Sequence, residues 1–75
     1  MRSLPAVTAR RLIAALQRGG YFVHHTTGSH VVLKHPARPS VRVVVPRHGG
    51  DIKRGTLQCI LRQAELTADE LIDLL

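Results

Sequence analysis

The chain is poor in aromatic residues. Tyr21 and Phe22 stand side by side and tryptophan is absent, so any core must be built from aliphatic side chains. Cys59 is the only cysteine. An internal disulfide is therefore excluded, and nothing argues for an oxidising compartment. No apolar run is long enough to span a bilayer, and no signal peptide is visible at Met1. The expectation is a cytoplasmic protein with no membrane partner. Carboxylates are also scarce. From Met1 to Arg62 the only acid is Asp51, so paired-carboxylate catalysis has no basis in the body of the chain. The remaining four acids lie between Gln63 and Leu75, where they read as solvated or capping groups of a helix.

What the chain has instead is positive charge and histidine. All eleven Lys and Arg residues precede Gln63, and nine of them are arginine. Arginine presents a planar fork of donors suited to bidentate phosphate contacts. A basic body with a short acidic tail points to a polyanion partner; a generic solubilising surface is the plainer alternative. A chain of 75 residues reads as a single domain, 1–75. A domain of this size is marginal alone and leaves room for a covering partner.

Periodicity predicts the elements. Ala9, Leu12, Ile13 and Leu16 repeat at the spacing of one helical face, with Thr8 as N-cap and Gly19-Gly20 as the stop. Tyr21 to Thr26 and Ser29 to His35 read as strands joined at Thr27-Gly28. A two-residue turn there pairs His25 with His30 and Val23 with Val32. It places Phe22, His24, Val31 and Leu33 toward the helices, and Val23, His25, His30, Val32 and Lys34 on the other face. A three-residue loop with a bulge at Gly28 would shift these pairs. Pro36 to Ser40 reads as a loop. Val41 to Val45 reads as a third strand, with Val41, Val43 and Val45 on one face and Arg42 on the other. After a loop at Pro46 to Gly50, a helix from about Thr56 to Ala64 shows the stripe Leu57, Ile60, Leu61, Ala64. Thr67 to Glu70 is a capping box opening a short final helix. The fold class is therefore α+β in the order α-β-β-β-α. A three-stranded antiparallel sheet carries its helices on one face, as in a double-stranded-RNA-binding domain, and a short C-terminal helix follows.

The histidines, at positions 24, 25, 30, 35 and 48, match no usual zinc-ligand spacing, so no metal or other cofactor is expected. Cys59 lies between stripe residues and reads as packing. Ser29 is adjacent to His30, and on a regular strand neighbours point to opposite faces, which speaks against a nucleophilic dyad. His30 remains as a proton-transfer group among cations. RNA supplies its own nucleophile, the 2′-hydroxyl beside the scissile phosphate. One general base with cations around the phosphorane suffices for cleavage. Lys34 and Arg42 share the face predicted for His30, and Thr26, Thr27 and the backbone of Gly28 offer further phosphate contacts from the turn. The plainer reading of His30 is an exposed strand residue, and of Gly28 a glycine that a turn requires.

Four motifs in order resemble the HicA family of bacterial toxins. They are Gly19-Gly20-Tyr21, Gly28-Ser29-His30, Val43-Val44-Val45-Pro46-Arg47-His48, and the helix from Gly55-Thr56-Leu57 to Leu61-Arg62-Gln63-Ala64. The resemblance implies a metal-independent endoribonuclease that cleaves mRNA, with His30 as its essential residue. Gly28, Ser29, Lys34 and Arg42 are then the expected RNA contacts. It also implies a HicB-like antitoxin as partner. Where the family often has basic or amide residues before the glycine, this chain has His25-Thr26-Thr27. The competing expectation is a non-catalytic RNA-binding module of the same fold.

Overall fold

The first helix, α1 (Ala9–Arg18), starts where the Thr8 hydroxyl accepts from the Arg11 N–H at 3.2 Å. Such a cap is worth about 1 kcal/mol. The helix stops at Gly19, and Gly20 follows with φ +95°. A side chain at Gly20 would be strained by that φ and would meet the His35 ring at 2.8 Å. The chain then enters β1 (Phe22–Thr27), β2 (His30–His35) and β3 (Arg38–Pro46), an antiparallel sheet in the order β1-β2-β3. Helices α2 (Arg54–Ala64) and α3 (Ala68–Leu74) complete the order. This is a computed structural model describing residues 3–75; Met1 and Arg2, and with them the expectation about a signal peptide, lie outside the described residues.

The core lies between one sheet face and the helices. Leu12 and Leu16 of α1, Leu57 and Ile60 of α2, and Leu71 of α3 close over Val31, Leu33, Val43 and Val45. Each of these side chains is at most 4% exposed. Each such burial contributes roughly 1.5–3 kcal/mol, and together they make the helix-covered face the stabilising one. The buried aromatic is Tyr21, whose hydroxyl donates to the Ala64 carbonyl at 2.5 Å and ties the entry of β1 to the end of α2. Among the described residues no helix is long and apolar enough to cross a membrane.

Three expectations are corrected. The hairpin turn is Gly28-Ser29, not Thr27-Gly28, so Thr27 pairs with His30 and His25 pairs with Val32 rather than with His30. The register then shifts between Val23 and His25, leaving His24 as the extra residue of a bulge. A bulge inverts the facing of everything before it. Val23 therefore shares the helix-side face with Leu33. Phe22, opposite Lys34, lies on the open face and is 44% exposed. Finally, β3 begins at Arg38 after the two-residue turn Pro36-Ala37, so most of the expected loop is strand. Pro39 is tolerated there because β3 is an edge strand.

Candidate functional site

The open face of the sheet is assembled from three cross-strand rows. Thr27, His30 and Pro46 form one; His25, Val32 and Val44 the next; Phe22, Lys34 and Arg42 the third. None of the three strands contains a carboxylate. Lys34 and Arg42 stand directly opposite each other. Like charges in that position destabilise a sheet by about 0.2–1 kcal/mol, less where solvent screens them.

His30 opens β2 at the exposed end of this face. Its Nδ1 lies 3.1 Å from the Ser29 hydroxyl oxygen. Ser29 is a turn residue, not a strand residue, so strand alternation does not separate it from His30. With a hydrogen on Nδ1 donating to Ser29 Oγ, the lone pair of Nε2 is left to accept a proton. The turn is fixed from behind, since the Arg47 N–H donates to the Ser29 carbonyl at 2.6 Å. Arg47 is therefore a cation tied to the turn through its backbone. Its place in the Val-Pro-Arg-His motif is visible in the sequence, but its tie to Ser29 is not.

Gly28 does not take a left-handed φ, and a Cβ built there meets nothing within 4 Å. The fold thus makes no steric demand for glycine at this position. Its effect is to leave the turn backbone bare beside His30. Lys34 is four residues along β2 from His30, roughly 13 Å at the strand rise. Lys34 and Arg42 therefore sit over a flanking stretch of the face, away from the imidazole. On the helix side, a groove of about 810 Å³ has Arg10, Arg47 and His48 and the apolar Ile13, Val23 and Val31 among its lining.

One more sequence reading changes: Cys59 is exposed rather than packed. Val32 keeps its expected place on the open face and is 3% exposed, outside the helix-side core. Among the described residues no group of three or more His, Cys, Asp or Glu is placed to hold a metal ion.

The sequence model described as the HicA toxin of bacterial toxin–antitoxin matches residues 9–66. The chain belongs to the HicA toxin family. The match runs from the start of α1 to Leu66, so it takes in His30, the whole sheet and α2, and leaves out α3. No individual curated protein matches the chain. As a HicA toxin, the protein has an antitoxin as its partner.

Proposed function

We propose that this HicA-family protein is an endoribonuclease that cleaves mRNA, with His30 as general base and no metal in the reaction. The observation that carries the reading is the exposed imidazole of His30, held at Nδ1 by Ser29, on a sheet face that has cations and no carboxylates. Nε2 of His30 takes the proton of a 2′-hydroxyl. The oxygen attacks the adjacent phosphorus, and the product carries a 2′,3′-cyclic phosphate. The bare backbone at Gly28 and the Ser29 turn accommodate the scissile phosphate. Lys34 and Arg42 hold the phosphates of the flanking strand, which accounts for a like-charge pair that the sheet alone would disfavour.

The partner in this reading is a HicB-like antitoxin that masks the open face. Charge complementarity speeds such an association, and Phe22 is the exposed apolar anchor on that face. Val23, which regular alternation would put there with Val32, lies on the other side of the sheet. The test is expression of the wild type and His30→Ala in bacteria, with growth and mRNA integrity followed together. Growth arrest with mRNA loss is expected from the wild type only. Equal toxicity of a folded His30→Ala protein contradicts the mechanism, and RNA binding without cleavage by the wild type identifies a non-catalytic module.

A further inference from the structure

His24 and His25 form a histidine cluster that the proposed mechanism leaves unused. Their Nδ1 atoms lie 2.7 Å apart, with the rings edge to face at 75° and centroids 5.0 Å apart. Two ring nitrogens at that separation share one hydrogen, so one donates and the other accepts. The bulge at His24 makes the contact possible, because on a regular strand adjacent side chains point to opposite faces.

His25 sits opposite Val32, and His30 opposite Thr27, so the two imidazoles are diagonal neighbours on one face. Such diagonals are roughly 7–8 Å apart, a span that lets two imidazoles approach one phosphodiester from either side. Each has its Nδ1 held by the residue before it: His24 for His25, Ser29 for His30. In both rings that contact leaves Nε2 unengaged by it. The charged or titratable groups sharing the face are Lys34 on β2 and Arg42 on β3, besides His24 on β1; no carboxylate in the sheet competes for the proton.

We infer that His25 is a second catalytic residue, the general acid that protonates the leaving 5′-oxygen. The inference rests on the nuclease reading of His30. His30 Nε2 removes the 2′-hydroxyl proton as the 2′-oxygen bonds to phosphorus. The bond from phosphorus to the 5′-oxygen breaks, and its electron pair takes the proton from Nε2 of the His25 imidazolium. His25 ends neutral and His30 ends protonated, and exchange with solvent resets both. His24 is a positioning residue. Its neutral Nδ1 accepts from Nδ1–H of the charged His25 ring, so the pair carries one positive charge without breaking its contact.

The experiment compares two short RNAs of one sequence, one natural and one with the scissile 5′-oxygen replaced by sulfur. A thiolate leaves without being protonated. On natural RNA, His25→Ala is expected to lose about 10²-fold or more in cleavage rate, the usual scale for removing a general acid. On the sulfur substrate it should recover most of that loss, which also shows that the variant is folded. His30→Ala should stay inactive on both. If His25→Ala cleaves natural RNA like the wild type, or is equally slow on both substrates, the assignment of His25 is overturned and that of His30 stands. If the wild type cleaves neither RNA, the nuclease reading falls and this inference with it.

Discussion

Replacing Lys34 by Glu should make the protein more stable and worse at holding RNA. Lys34 and Arg42 are direct cross-strand partners, so the substitution turns a like-charge pair into an opposite one. Removing the repulsion and adding an attraction are each worth about 0.2–1 kcal/mol. Arg42 is exposed and Lys34 only half-buried, so screening brings the expected gain to about 0.5 kcal/mol at low salt. For a domain of this length that raises the melting temperature by roughly 2–4 °C. RNA binding moves the other way. For every phosphate the protein no longer neutralises, the slope of log affinity against log salt flattens by about 0.7 for a single strand. Between 50 and 200 mM salt, the affinity of the wild type should therefore fall about 2.5-fold further than that of the variant for each such phosphate. Thermal melting at low ionic strength and fluorescence anisotropy across a salt series read the two effects. A variant that melts below the wild type, or that binds RNA with an unchanged slope, refutes the claim that this pair is kept for a polyanion.

Gly28→Ala should leave the melting temperature unchanged or slightly raised, since neither φ nor space requires glycine there, while RNA cleavage falls; loss of folding instead would mean the turn is structural. Tyr21→Phe should cost about 1 kcal/mol in denaturant unfolding, because the Ala64 carbonyl loses its donor. Burial pushes the Tyr21 hydroxyl above its ordinary 10.0, partly opposed by Arg38 and aided by Glu65 and Glu70. The stability it supports is thus full below pH about 10 and declines above that as the unfolded chain ionises first; an alkaline titration of Tyr21→Phe should lack this contribution. In complex with the antitoxin, hydrogen exchange should slow in β1 and β2, and protection confined to α3 would place inhibition away from the open face.

The sequence disclosed the parts of the fold that rest on long, consistent periodicity. The stripe of α1, the stripe of α2 and the alternation of Val41, Val43 and Val45 all point the way the structure has them. The register of β1 was hidden because a bulge depends on tertiary pairing, and His24-His25 carries no composition signal for one. That single inserted residue exchanged the faces of Phe22 and Val23. The start of β3 was hidden because Pro36 and Pro39 read as breakers, although a proline on an edge strand removes no needed donor. At the site, parity put Lys34 and Arg42 on the face of His30, as the register has them, but gave no sign that they flank the imidazole at a distance. The contact of Ser29 with His30 was missed because strand alternation does not apply to a residue that sits in the turn. The tie from Arg47 to Ser29 joins the end of β3 to the β1–β2 turn, a contact that local pattern does not reveal.

In the proposed reaction His30 activates the RNA's own 2′-hydroxyl. The most direct measurement is of the ends produced when purified protein, kept in excess chelator, meets an RNA and a copy with a single 2′-deoxy sugar at the cleavage position. The expected result is a 2′,3′-cyclic phosphate and a 5′-hydroxyl from the RNA, no cut at the deoxy position, and no cut of either by His30→Ala. Cleavage at the deoxy sugar, or fragments with a 5′-phosphate, would contradict it.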